Sequence, residues 1–483
     1  MTETETPYKN KWIILLAIAM GVFLATIDGG IVNIGLNTLV REFDKPLVVI
    51  EWVVLAYMLT ISSLMLTIGR LGDMFGKKNL YLAGLIIFTI GSVLCGLSSS
   101  IYWLIAFRVL QAVGASVIMA LGMAMVTETF PAQERGKALG ILGTLVSIGI
   151  IAGPTIGGII LESLSWHWLF FVNLPVGIIG VFMVLRYVPQ SRPGGKQRFD
   201  FLGAVLLFIS LCALLFALST IQSGSTSLLI TLTLLGIFLV GLVAFIMVEK
   251  RIDDPMIDLS IFSNRMFSIN LITGFLVFIS TAGTMIILPL YLQNVLHFGT
   301  RQAGLMMAVT PVTVAMIAPF SGALSDRVSS RIITTIGLAV LFLGYLWVSS
   351  LSAETNAIGY ILRFIPVGLG IGMFQAPNNS AVMGSAPRER SGIASGLLNL
   401  TRTVGQTTGI ALLGAFWERR VHVHAGEAVF NNVTQAPIGA QVAGLHNTFQ
   451  LVLLIILAAL SISLWALSLW LRSKPVLNPD DFA

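Results

Sequence analysis

Charge is scarce in this chain. Asp, Glu, Lys and Arg make up only 10% of 483 residues against 56% hydrophobic ones, and mean hydropathy is +0.91. No water-soluble domain of this length carries so apolar a surface, so a soluble protein is excluded and a polytopic membrane protein is indicated. Cysteine is nearly absent. Cys95 and Cys212 both fall in apolar stretches and supply neither a disulfide framework nor a metal site, so no metal and no cofactor is expected. The five histidines sit at expected helix ends or outer loops. No expected helix sets a nucleophile beside a base, which argues against an enzyme. A net charge of +6 is spread over many short segments, so nucleic acid is not an expected partner. The first apolar stretch is too long for the core of a cleavable leader and has no small-residue cleavage site after it.

What is present is a series of fourteen apolar stretches, each long enough to span a bilayer at roughly 20 residues. They lie near 12–36, 48–69, 79–98, 101–126, 138–161, 167–186, 201–221, 228–248, 267–290, 303–321, 332–351, 356–377, 393–416 and 447–471. With the N-terminus inside, 20 of the 28 basic residues fall in cytoplasmic segments, 5 outside (Arg41, Lys45, Arg301, Arg419, Arg420) and 3 within helices. Positive charge is retained on the cytoplasmic side, so both termini are placed there, in a multi-pass protein of the plasma or inner membrane. All nine lysines are assigned to loops.

The chain also repeats itself. Gly69-Arg70-Leu71-Gly72-Asp73 closes the second stretch and Gly322-Ala323-Leu324-Ser325-Asp326 the tenth, with 253 residues between the aspartates. Arg108 follows the first aspartate by 35 residues and Arg363 the second by 37. The next loops carry Glu134-Arg135 and Glu389-Arg390, displaced by 255. Such a duplication predicts an all-α fold of two six-helix bundles plus two inserted helices. The divisions are 1–190 for the first bundle, 191–265 for the linker and inserted pair, and 266–483 for the second bundle. Because the repeats supply the pseudo-symmetry internally, a monomer suffices.

Several motifs together resemble the fourteen-helix drug:proton antiporters of the major facilitator superfamily, over nearly the whole chain. Gly69 to Lys78 resembles the superfamily's loop motif, and Arg108-Val-Leu-Gln111-Ala-Val-Gly114 its fourth-helix motif. Gly149, Gly153, Pro154, Gly157 and Gly158 look like the antiporter motif, followed by the similar run Trp166 to Pro175. Departures are Gly30 and Asn37, where the first-helix signature has Thr and Pro, and His167 in place of an Arg. The glycine change is expected to loosen the first helix.

The resemblance implies a proton-coupled exporter of amphipathic compounds working by alternating access. Asp28, inside the first stretch, is the expected proton carrier with Arg108 its partner, since intramembrane acids are costly and usually functional. The competing reading is a static ion pair locking the first and fourth helices. Ser395, Asn399, Arg402 and Gln406 share one face of the thirteenth helix. With Asn33, Tyr57, Gln111, Arg363, Gln375 and Asn378, the last three of these are expected to line the substrate cavity. Interhelical hydrogen bonding, or carbonyl binding by Arg363, is the alternative. Arg70, Asp73, Lys77, Glu134, Arg135, Asp326, Glu389 and Arg390 are expected to gate the cytoplasmic face, by ion pairs or at a helix terminus. Glu128 and Glu162 read as interfacial, and Trp52 as a cavity aromatic or an interface anchor.

The helix 5 glycines and Pro154 suit a bundle interface that closes and reopens. The outer segment 418–446 reads as a docking surface, and Trp417, Arg420 and His424 are similar to members that work with a periplasmic adaptor. The absence of acids from the last six stretches argues against doubly cationic substrates and favours monocationic, zwitterionic or neutral ones. Alternatives are a lipid or glycolipid exporter and a respiratory proton-channel subunit, whose intramembrane lysines this chain does not share.

Overall fold

A computed structural model describes residues 10–473 apart from 46, 51, 191–199, 224–227, 253, 254, 256, 258, 388, 389 and 427–435. The long helices of the first half are α1 (Lys11–Phe43), α2 (Trp52–Phe75), α3 (Lys77–Gly96), α4 (Ile101–Thr129), α5 (Arg135–Ser163) and α6 (Asn173–Tyr187, preceded by Trp168–Phe171). The inserted pair is α7 (Phe201–Ser223) and α8 (Leu228–Glu249). The second half holds α9 (Arg265–Leu290), α10 (Val309–Arg327, preceded by Thr300–Met307), α11 (Ser330–Val348), α12 (Ala357–Ser385), α13 (Ser391–Ala425) and α14 (Ile438–Ser473). Among the described residues, twelve helices are long and apolar enough to cross a membrane, against the fourteen expected. The two outside that set are α5 and α13, the latter carrying the polar stripe that lowers its hydropathy.

Local chemistry sets the boundaries. Ser100, Asn264 and Asn356 cap α4, α9 and α12 by accepting backbone N–H bonds in their first turns. Gly76 separates α2 from α3 at φ 91°, a conformation that a side chain would strain. Other boundaries outrun the hydropathy. α1 continues to Phe43, α13 to Ala425, and α14 begins at Ile438. Most of the expected outer loop 418–446 is therefore helical at both ends, and its middle, 427–435, lies outside the described residues. Lys11, Lys77, Lys78 and Lys137 sit in the first turns of α1, α3 and α5 rather than in loops.

Packing follows the repeat helix for helix. In the first half α1 packs on α4, α5 and α6, and α4 on α2 and α3; in the second α9 packs on α12, α13 and α14, and α12 on α10 and α11. Each half has its own apolar core, one around Ile18, Tyr81, Phe88 and Leu121, the other around Leu341, Phe364, Trp417 and Phe449. The halves meet where α5 packs on α10 and α12, and where α13 packs on α2 and α4. Helices α7 and α8 pair with each other, and α7 rests on α2 and α13. Between this hairpin, α2, α9 and α13 lies an apolar pocket of about 450 Å³.

Candidate functional site

Asp28 is wholly buried at the meeting point of five helices. Arg108 of α4 pairs with its Oδ2 through Nη1, and the same nitrogen donates to Gln111 Oε1 at 2.8 Å. Gln111 Nε2 and Asn173 Nδ2 each donate to Asp28 Oδ1 at 2.9 Å. Behind this shell, Asn173 also donates to Ser92 Oγ at 3.0 Å, and Arg108 Nε donates to the Val53 carbonyl at 2.9 Å. The guanidinium carbon lies 3.9 Å from the centre of the Tyr57 ring, whose hydroxyl donates to the Ala25 carbonyl. A buried carboxylate with three donors, one of them a paired cation, is electrostatically satisfied. Helices α1, α2, α3, α4 and α6 are thereby tied to one charge.

Two residues expected in the cavity, Tyr57 and Gln111, thus belong to the Asp28 cluster. Asn173 was the missed member. Its signal in the sequence is an amide within the apolar run Trp168 to Tyr187.

A second, smaller centre lies between the halves. A cavity of about 20 Å³ is lined by Val22, Met119, Met123, Leu139, Leu142, Gly143 and Val146 on one side and Gln375, Asn379, Asn399 and Arg402 on the other. That is room for about one water molecule. Gln375, Asn399 and Arg402 were expected here; Asn379 takes the place given to Asn378, which is buried beside α9 near Gly274. Asn399 also donates across the interface to the Met119 carbonyl, at 2.8 Å. Gln406 is not among the lining residues. Arg363 is elsewhere, donating to Ser350 Oγ and the Gly359 carbonyl beside Trp347, so it takes the carbonyl-binding role. The side chain of Asn33 lies outside the described residues. Trp52 packs against Phe216 of the inserted hairpin, 5.3 Å between ring centres.

The third centre is at the end of the bundle that the basic residues assign to the cytoplasm. Asp73, at the end of α2, accepts from the backbone N–H groups of Gly392 and Ile393 at 2.9 and 3.1 Å. Asp326, at the end of α10, accepts from Gly136 and Lys137 at 2.9 and 3.1 Å. Each aspartate therefore sits on the N-terminus of a helix in the opposite half, where free N–H groups and the helix dipole favour an anion. Glycines make these contacts close. A Cβ on Gly69 would run into the Gly392 carbonyl, and one on Gly136 into the Gly322 carbonyl. The two junctions differ in charge. Lys77 bridges Asp73 and Glu128 at 2.7 and 2.8 Å, and Ser391 donates to Glu128 at 2.6 Å. Glu128 is thus a junction residue rather than an interfacial one.

Two other residues of the expected gate bond within the first half. Glu134 pairs with Lys11, and Arg135 donates to the Thr127 and Phe130 carbonyls, all in the first half. Arg70 is buried and forms no ion pair among the described residues. Arg390 precedes α13 directly, and Glu389 lies outside the described residues. Two of the antiporter-motif glycines face α1 in the same half. Gly149 lies against Thr26 and Gly153 against Gly30, which lets α5 press on α1, while a Cβ on Gly158 would meet nothing. Gly157 is buried, and the Pro154 side chain is outside the described residues. Gly30 is therefore a contact surface for α5. At the opposite end Trp417 is buried, and Arg420 and His424 both engage Asn447 of α14 at 2.9 Å.

The junctions yield a prediction. Asp73→Asn and Asp326→Asn each remove an anion from a helix N-terminus, a contribution of about 0.3–2 kcal/mol. Hydrogen exchange at the start of α13 is expected to rise in Asp73→Asn, and at the start of α5 in Asp326→Asn. The Asp73 effect should be larger, because Lys77 also loses one of its two carboxylate partners. Unchanged exchange in both would remove the aspartates from the junction.

Comparison with known proteins fits this geometry. The chain is 37% identical to the riboflavin transporter RibZ of Clostridioides difficile, over 85% of this chain and 89% of that protein. It is 32% identical to the multidrug resistance protein Stp of Mycobacterium tuberculosis, over 84% of this chain and 76% of that one. The crystal structure of the human organic anion transporter MFSD10 superposes with a TM-score of 0.67 at 14% identity, over 94% and 99% of the chains, a likeness of fold alone. A sequence model described as Major Facilitator Superfamily matches residues 18–410, and this membrane transporter belongs to that superfamily, among relatives that include multidrug resistance proteins.

Proposed function

We propose that the protein is a proton-coupled exporter of amphipathic small molecules, with residues 1–190 and 266–483 rocking as two six-helix bundles about the central cavity. In this reading α5 and α13 also cross the membrane, giving fourteen spans with both termini in the cytoplasm of a bacterial inner or plasma membrane. The observation that carries it is Asp28: a carboxylate without solvent access, in the membrane interior, bound to three side chains that can release it. Protonation cancels its attraction for Arg108, so proton binding and helix packing are linked through one group. Alternating access follows if that loosening accompanies release of the two cytoplasmic junctions.

A riboflavin transporter and a multidrug protein among the relatives support a planar or amphipathic cargo over a lipid. A periplasmic adaptor would dock at the C-terminal end of α13, where His424 is exposed beside Arg420. A monomer is sufficient for the cycle.

The test is substrate-driven proton release from proteoliposomes with an acid interior, across flavins, lipophilic drugs and lipids. Release triggered by one class and lost in Asp28→Asn is expected. Transport that proceeds equally in parent and Asp28→Asn, without proton movement, would leave a facilitator.

A further inference from the structure

The charges of the membrane interior do not cancel. Asp28 and Arg108 neutralise each other, while the acids of the second half all lie outside the middle of its helices. Arg402, the twelfth residue of α13, is left over. Among the described residues it has no ion pair and no hydrogen bond, whereas Arg363 and Arg135 each reach backbone carbonyls. Its neighbours around the cavity are the amides Gln375, Asn379 and Asn399 and a wall of aliphatic and Met side chains. No carboxylate lines that cavity. Arg402 is half-buried, and a guanidinium in such a cleft with no anion beside it is open to one supplied from outside.

We propose that Arg402 anchors the carboxylate of an amphipathic anion, so that the exported compounds are monoanions with an apolar body. The guanidinium offers paired N–H donors that match a carboxylate, the neighbouring amides complete the polar end, and Met119 and Met123 provide an adaptable apolar wall. The inference rests on the export reading above and specifies its substrate. It departs from the monocationic, zwitterionic or neutral substrates that the sequence favours, and replaces them with monoanions. The cavity holds about one water as described, so binding requires it to widen. Arg402 lies ten residues beyond Gly392 on the same helix, roughly 15 Å along α13. Release of the Asp73 junction therefore moves the anchor with the helix.

The test uses purified full-length protein and matched probes, in which naphthalene, anthracene and a flavin-sized tricycle each carry a carboxylate, a carboxamide or an aminomethyl group. Binding is read by quenching of tryptophan fluorescence without a pH gradient. The carboxylate of at least one body is expected to bind about 10- to 100-fold more tightly than its carboxamide, the range for a hydrogen-bonded charge. Arg402→Gln should erase that ratio, and Arg402→Lys should retain part of it. An aminomethyl preference, a carboxylate preference that survives in Arg402→Gln, or no carboxylate binding would overturn the inference; the parent ratio decides it even if Arg402→Gln does not fold. Arg402-dependent carboxylate binding without any transport would instead sink the export reading alone. Proton-coupled export restricted to neutral or cationic compounds would do the reverse.

Discussion

Asp28→Asn is expected to abolish substrate-driven proton release and to lower stability by about 3–5 kcal/mol, the range for removing one partner of a buried ion pair. The amide fits the same space and still accepts a hydrogen bond, but it leaves Arg108 charged and enclosed. Arg108 has no solvent access, and its other bonds, to Val53 and Gln111, are to neutral acceptors. The pair Asp28→Asn with Arg108→Gln restores neutrality, so it should regain most of the stability. It should not regain proton release. This separation decides between a proton carrier and a static tie between α1 and α4, because a tie predicts that function returns with stability. Thermal unfolding of the purified variants and proton release from proteoliposomes measure the two quantities. Recovery of both in the double variant would end the carrier reading.

Much of this architecture is legible in the sequence because duplication leaves the same chemistry at one offset. Asp73 and Asp326 are found that way, and they occupy equivalent junctions. The repeat misleads where its spacing slips. Arg363 follows Asp326 by 37 residues and Arg108 follows Asp73 by 35, but the connection before α12 is longer than that before α4, which makes Arg363 the seventh residue of its helix and Arg108 the eighth, about 100° apart around the axis. Arg363 therefore points away from the direction that Arg108 takes, onto Gly359 and Trp347. Glu128 and Asn173 escape for another reason. Neither is repeated, and their partners, Lys77 with Ser391 and Asp28 with Ser92, are brought to them only by tertiary packing. Hydropathy likewise cannot see that α13 runs on to Ala425, since polar residues facing Asn447 read as loop.

Gly392→Val should hold the cytoplasmic face open. At this junction the α13 backbone lies directly on α2, and a Cβ on Gly392 would meet the Gly69 carbonyl and the Asp73 carboxylate. Both are fixed, one as helix backbone and one by Lys77 and two N–H bonds, so the added side chain cannot be accommodated by a rotamer change. Overpacking of this kind costs about 1–3 kcal/mol. Here the cost falls on the closed arrangement alone, which shifts the open-to-closed ratio by roughly 5- to 150-fold. Met123 lines the central cavity, so Met123→Cys reports the change through its reaction with a membrane-impermeant maleimide from the cytoplasmic side. Labelling should accelerate by about the same factor in Gly392→Val. Gly414→Val is the control on the same helix, because a Cβ there meets nothing. Gly136→Val is expected to act in the same direction through Gly322, but more weakly if the Asp73 junction, with its added Lys77 and Glu128, carries more of the closure. Equal labelling in the parent and both variants would mean that the bundles separate elsewhere, and the paired aspartates would then be helix caps without a gating role.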